Sequence, residues 1–155
     1  MNQRIYNYSI HLLARQDYSA FKLRQKLRSK KDNPPHEVEE IIETLKSRGL
    51  LKEENYKRLF IRKWMIKGES ANKIRQRGSL EKLEFSDDDF KNAGLELGFE
   101  DQDSLKKLID KKLRSKVIPR EYEERLKLKN KMIRFLISKG HAYEECKKAL
   151  QYYFV

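Results

Sequence analysis

An all-α fold of tandem three-helix repeats is predicted by three features of this chain. Val and Thr, which strands favour, occur only at Val38, Val117, Val155 and Thr44, while Leu, Lys, Glu and Arg dominate and lose little side-chain freedom in a helix. Apolar residues recur at helical spacing over most of the sequence. Six glycines and three prolines leave long stretches without a breaker.

The elements follow in order. Ile5, Tyr8, Leu12 and Leu13 mark a first helix, Ala20, Leu23 and Leu27 a short second, and Val38, Ile41, Ile42 and Leu45 a third. Tyr56, Leu59, Phe60 and Trp64 form the next stripe, with weaker patterns at Ala71 and Ile74 and at Phe90, Ala93, Leu95 and Leu97. Leu105, Leu108, Ile109 and Leu113 precede a longer helix marked by Leu126, Ile133, Leu136 and Ile137; Cys146, Ala149, Leu150 and Tyr153 mark the last. Ser19 and Ser70 suit N-caps, Asn33-Pro34 places a capping side chain before a proline at a first helical position, and Ser86 with Asp89 resembles a capping box. Gly49, Gly68 and Gly140 sit where helices close in the left-handed conformation. About nine helices are expected.

These elements repeat. Shifts of 51 and a further 72 residues superpose Ile10, Ile61 and Ile133, then Leu13, Trp64 and Leu136, then Leu23, Ile74 and Cys146, and finally Leu27, Gly78 and Leu150. Each copy reads as a long helix, a tight turn at Asp17, Gly68 or Gly140, and a short helix. A third helix follows in the first two copies and precedes the pair, near residues 104–116, in the last. Three units are expected, over residues 1–51, 52–98 and 99–155, each burying little area unless stacked on a neighbour.

Of 155 residues, 36 are Lys or Arg and 24 Asp or Glu, a formal charge of +12. Leu, Ile, Val and Phe make up about a quarter of the chain, above the roughly 20% below which chains stay disordered. The charge is segregated: residues 1–31, 57–77 and 105–131 each carry +7, whereas 32–56 carry −4 and 81–103 carry −7. One such block is an ordinary solvated helix face. Three of them in step with a repeat point to a polyanion or an acid-lined protein groove.

Several functions find no support. No apolar run is long enough to span a membrane, and Met1-Asn2-Gln3-Arg4-Ile5 does not open a secretory signal, so a cytoplasmic protein is expected. His11, His36 and His141 stand far apart without a metal-binding spacing and are expected at or near the surface. No phosphate-binding glycine loop occurs, Cys146 lies on an apolar stripe, and Asp87, Asp88 and Asp89 suit a helix start. No cofactor, no metal and no enzymatic activity are expected, and a monomer is the expected state.

Leu12-Leu13-Ala14-Arg15-Gln16-Asp17-Tyr18-Ser19 followed by Leu23-Arg24-Gln25-Lys26-Leu27 resembles the opening of RecX proteins, regulators of the RecA recombinase. Leu45, Gly49 and Leu51 with Glu53, Glu54 and Tyr56, then Ile61-Arg62, Lys67-Gly68 and Lys73-Ile74-Arg75-Gln76, resemble that family's next blocks. Lys111-Lys112-Leu113 and the segment from Lys131 to Lys139-Gly140 resemble its closing ones. The sequence departs from the pattern at Gly78, which replaces an anchoring leucine, so the middle short helix is expected to end early or pack differently. It departs again at Lys52 and Glu53, which replace two aspartates, and at His141, which replaces an aromatic residue.

The resemblance implies an elongated, curved array that lies in the groove of the RecA–single-stranded-DNA filament and suppresses ATP hydrolysis, strand exchange and coprotease action. It implies filament or DNA contacts, made by charge, from Arg24, Lys26, Arg62, Arg75, Lys111 and Lys112, the basic residues at family-like positions. Direct binding of single- or double-stranded DNA is compatible with the same charge. A helix-turn-helix transcriptional regulator is the alternative, although three helix pairs in tandem without a dimerisation segment fit two-fold operator recognition poorly. A helical scaffold for an acidic protein is a third reading.

Overall fold

The computed structural model describes residues 1–99 and 103–154, which form nine α-helices and no strand. In order these are α1 (Gln3–Arg15), α2 (Ala20–Arg28), α3 (Pro35–Ser47), α4 (Glu53–Ile66), α5 (Ala71–Ser79), α6 (Asp87–Glu96), α7 (Asp103–Leu113), α8 (Tyr122–Ser138) and α9 (Tyr143–Gln151). The chain divides into two compact units, Met1–Phe60 with Gly78–Glu84, and Ile61–Arg77 with Phe85–Val155.

In the first unit, α1, α2 and α3 close over Ile5, Leu12, Leu23, Leu27, Val38, Ile41, Ile42 and Leu45. These are the positions the helical spacing marked, and each fully buried aliphatic side chain is worth about 1.5–3 kcal/mol. Ser19 caps α2 as expected, its Oγ accepting from Lys22 N at 3.1 Å. Asn33 acts differently from its expected role. Helix α3 begins at Pro35 with Pro34 as an N-cap that makes no side-chain bond. The buried Asn33 amide instead donates to Leu27 O at 2.9 Å, satisfying a carbonyl at the end of α2. An unanticipated cap, Asn2, accepts from Arg4 N and Ile5 N to start α1.

In the second unit, α7, α8 and α9 surround Ile109, Leu113, Met132, Ile133, Leu136, Cys146 and Leu150. Leu126 and Ile137, both assigned to the apolar stripe of α8, are exposed; Met132 takes the inward position with Ile133 and Leu136. Helix α4 also departs from its predicted stripe. Leu59 is exposed, Tyr56, Phe60 and Trp64 are half-buried, and Ile61 is the fully buried side chain. Cys146 is in the core, where burial pushes its thiol up and keeps it protonated at neutral pH. Of the three histidines His141 is buried, with Nε2 2.8 Å from Gly68 O, while His11 and His36 are exposed.

Helix α5 does not end early at Gly78. It runs nine residues, as do α2 and α9. Closure comes just beyond it: Leu83 N donates to Gly78 O at 2.9 Å and Lys82 N to Ser79 O at 3.1 Å, with Lys82 in the left-handed conformation at φ 53°. This is a Schellman motif in which lysine occupies the glycine position, and it turns Leu83 back into the interior.

Gly140 closes α8 in the same way at φ 89°, with far less room. A Cβ there would meet Ser70 Oγ and come within 2.6 Å of Lys73 Cβ. Ser70 N donates to Lys139 O at 2.8 Å, and Lys73 Nζ donates to Ser138 O, so the carbonyl end of α8 is capped by the beginning of α5.

These two closures predict opposite outcomes. Lys82→Gly relieves a left-handed side chain and should stabilise by about 1 kcal/mol, raising Tm by about 2–4 °C. Gly140→Ala should cost about 2 kcal/mol or more, combining backbone strain with the clash at Ser70 and Lys73. Urea and thermal unfolding of the two variants measure both.

Candidate functional site

The six basic residues singled out from the sequence fall into different local settings. In the first unit, Arg24 on α2 is half-buried and forks onto Glu39 of α3, with Nε at 2.6 Å and Nη2 at 3.2 Å; Arg28 adds a contact at 2.7 Å. The Arg24 hydrogen bond and the two guanidinium charges hold the Glu39 carboxyl below its usual range, against an opposing push from burial. Arg24 therefore braces α2 against α3. Lys26, two residues along and on the other flank of α2, is exposed and has no ion pair among the described residues.

In the second unit, Arg75 on α5 pairs with Asp87 at 2.6 Å and lies 4.6 Å from the Phe90 ring centroid, so its charge is partly committed to α6. Arg62 on α4 is exposed, with no ion pair among the described residues. The neighbouring Arg77 lies 3.7 Å from the Trp64 ring centroid and forks onto the buried Glu69 with two bonds of 2.6 Å. Its hydrogen bonds to Glu69 raise the guanidinium further above its already high value. That arrangement is a structural clasp that ties the last turn of α5 to the α4–α5 turn at Glu69 and to Trp64 of α4.

Lys111 and Lys112 are brought together with partners the sequence reading did not select. With Lys67, Lys116 and Lys139 they line a cavity of about 460 Å³ whose apolar wall includes Ile66, Leu108 and Phe135. No carboxylate lines it. Lys112 and Lys139 lie 4.5 and 5.8 Å from the Phe135 ring centroid, and the negative face of that ring offsets part of their mutual repulsion. Gly68 fixes another wall: a Cβ there would stand 2.7 Å from Leu108 Cδ1 and Cδ2, so α4 ends directly against α7.

A bland explanation for these lysines is that they complement helix C-termini, since α4, α7 and α8 all end nearby. The magnitudes do not match. Three helix ends supply roughly −0.5 charge each. Five ammonium groups exceed that total, and carbonyls of α8 are already engaged by Ser70 and Lys73. A net positive cavity remains.

Lys67 and Lys139 carried a signal in the sequence. Both stand immediately before the glycine that closes a long helix, Lys67-Gly68 and Lys139-Gly140, so the repeat itself places a lysine at each turn. Nothing in the linear spacing shows that the two turns share one cavity with α7.

A tandem three-helix-repeat protein with a lysine-lined cavity is the class that fold and site define. Comparison with known proteins sharpens this. Residues 6–45 match the family model described as RecX, first three-helix domain, and residues 100–150 match that of the RecX third three-helix domain. The chain belongs to the RecX family. Over 110 residues it is 31% identical to the regulatory protein RecX of Clostridium perfringens (strain 13 / Type A), an alignment covering 70% of this chain and 50% of that protein. The chain thus spans about half the length of the curated relative it matches. The crystal structure of RecX from Lactobacillus salivarius has the same fold, with a TM-score of 0.70 at 22% identity over 96% of this chain and 94% of that one. Among the described residues, no helix is long and apolar enough to cross a membrane.

The Arg24–Glu39 brace gives a pH dependence. Glu39 has a folded pKa below its usual 4.5, so its contribution is present above that value and is lost as pH falls through the folded pKa. Glu39→Gln should therefore lower Tm at pH 7, and the difference should vanish as the pH falls through the folded pKa of the wild-type carboxyl. The difference at pH 7 should be small, below about 1 kcal/mol, and reduced by salt, because the pair is only half-buried and remains in contact with water. Thermal melts of both proteins from pH 3 to pH 7 measure it.

Proposed function

We propose that this protein regulates the RecA recombinase by binding the RecA–single-stranded-DNA filament in its helical groove, restraining ATP hydrolysis, strand exchange and coprotease action in the cytoplasm. The observation that carries the reading is family membership recorded at both ends of the chain, in order, by the first and third three-helix domains. On this reading, residues 1–51, 52–98 and 99–155 are the three units that present successive basic surfaces to the filament.

The physical argument is additive attachment. Each basic block offers only modest contacts, and linking several on one chain raises the effective concentration of the next at every step. Lys26, Arg62, Lys111 and Lys112 carry exposed charge suited to this task. Arg24 and Arg75 act at one remove, since their guanidinium groups already hold Glu39 and Asp87. Contacts of this kind position a protein on a polyanion without reading bases.

The test is the single-stranded-DNA-dependent ATPase of the RecA from the same organism, titrated with this protein. Inhibition is expected below one protein per RecA protomer; no inhibition at a one-to-one ratio in low salt would overturn the proposal. Arg62→Glu is the informative variant because it removes no internal bond. It should weaken co-sedimentation with the filament severalfold while leaving helicity unchanged, and unaltered co-sedimentation would take Arg62 out of the interface.

A further inference from the structure

Helix α8 carries an apolar stripe that the core of its unit does not use. Met132, Ile133 and Leu136 face inward. Tyr122, Leu126 and Ile137 lie on one line beside them and are 68%, 41% and 44% exposed. At 3.6 residues per turn these three positions fall within about 60° of one another, over a helix length of about 22 Å. From Tyr122 to Lys131 no residue is buried, although Arg125, Leu128 and Lys129 are partly covered. A single exposed apolar residue is ordinary, but a surface helix normally carries one apolar stripe, and α8 carries two. We propose that the outer stripe is the contact face of an antiparallel, two-fold pair of α8 helices, its occupant being a second copy of this chain.

Three observations select a second copy. First, the stripe reads alike in both directions. With Ile133 included, positions 122, 126, 133 and 137 are spaced 4, 7 and 4, so reversal about the midpoint between Lys129 and Asn130 superposes them. A two-fold axis there places Tyr122 of each copy against Ile137 of the other, and Leu126 over the turn that holds Ile133. An isologous contact requires that residue i meets j while j meets i, and this spacing supplies it.

Charge has the same symmetry. Glu123 and Arg134 flank the stripe on one side, both exposed and neither in an ion pair among the described residues. They stand on opposite sides of the midpoint, so antiparallel pairing brings Glu123 of each copy to Arg134 of the other. A parallel pair would set like charges against each other.

The third observation is Asn130, an exposed polar residue at the centre of the stripe. An amide both donates and accepts, so two of them across an axis satisfy each other. One central polar residue of this kind sets the register of paired helices.

Extent and net charge set the strength. Three exposed apolar side chains per copy fall short of the roughly 800 Å² that each partner buries in a stable complex. The formal charge of +12 on each chain also repels its twin. The pair should therefore form at about 100 μM protein and about 0.3 M salt, and dissociate on dilution.

Sedimentation velocity of the full chain over a wide concentration range at that salt is the test. The average mass should rise with concentration toward twice that of the monomer. Leu126→Asp/Ile137→Asp changes only exposed positions, so it should keep its helicity and weaken association at least tenfold. Glu123→Arg and Arg134→Glu should each weaken it severalfold. An equimolar mixture of those two variants should restore it, because each supplies the charge the other lacks. Asn130→Cys should give a disulfide-linked dimer under mild oxidation, since Cys146 is buried. Glu123→Cys should not, because its twin would lie roughly 20 Å away along the pair. A chain that stays monomeric throughout overturns the proposal, as does a dimer indifferent to Leu126→Asp/Ile137→Asp. Glu123→Cys cross-linking as readily as Asn130→Cys overturns the antiparallel arrangement. No recombinase enters these measurements. ATPase inhibition by a strictly monomeric protein would therefore sink this inference and leave the recombinase reading standing. If Leu126→Asp/Ile137→Asp then lost co-sedimentation with the filament, the stripe would belong to the recombinase instead.

Discussion

The arrangement of the second unit depends on a backbone constraint: a long helix must stop and reverse within two residues, at a position with no space for a side chain. Gly140 meets it with φ 89°, its missing Cβ filled by Ser70 and Lys73. Because the turn is that tight, Ser138 and Lys139 present their carbonyls to Lys73 and Ser70, and His141 reaches Gly68 O. Gly68 repeats the device at the end of α4, where Leu108 occupies the space of its Cβ. The two turns are locked to each other and to α7. The lysines preceding each glycine then have little choice of position, and they reach one cavity.

That constraint also determines what was legible in the sequence. Helix boundaries were readable because their causes are local: periodic Leu and Ile, Ser19 and Ser86 as caps, glycine at helix closures. The first-unit core was readable for the same reason, since Val38, Ile41, Ile42 and Leu45 lie on one stripe and all are fully buried. Where the reading missed, a distant group was deciding. Asn33 was drawn from the start of α3 to the end of α2 by the Leu27 carbonyl. The Gly78 substitution left α5 at full length because the closure is made by the backbone carbonyls of Gly78 and Ser79, which accept from Leu83 N and Lys82 N and need no leucine side chain at 78. The stripe on α4 misled because Trp64 is roofed by Arg77, and a guanidinium held by the buried Glu69 makes a half-exposed indole stable.

The candidate site was half-legible. Lys111 and Lys112 stood out as basic residues in a basic block, and they do line the cavity. Lys67 and Lys139 belong to different repeats, 72 residues apart, and periodicity alone shows which face of a helix they occupy, not which turns meet. Arg24 and Arg75 illustrate the converse. Their spacing on α2 and α5 is that of exposed cations, but Glu39 and Asp87 lie 15 and 12 residues away in sequence, beyond the reach of any helical pattern.

Arginine and lysine have separate work in this chain, and the separation follows from their chemistry. Arg24, Arg75 and Arg77 each hold a carboxylate on another segment, and two of the three do so bidentately. The guanidinium suits that use because its donors are fixed in one plane, so less freedom is lost for each bond made. An ammonium on a four-carbon stem loses more by being fixed and gains less from a single carboxylate in water, which is why the exposed lysine pairs, such as Lys46–Glu43 at 3.6 Å, are loose. Lysine charge consequently remains available wherever no acid is nearby, and the cavity beside Phe135 is such a place. Concentrating like charges there raises the free energy of the unliganded protein, moderated by water and by the aromatic ring.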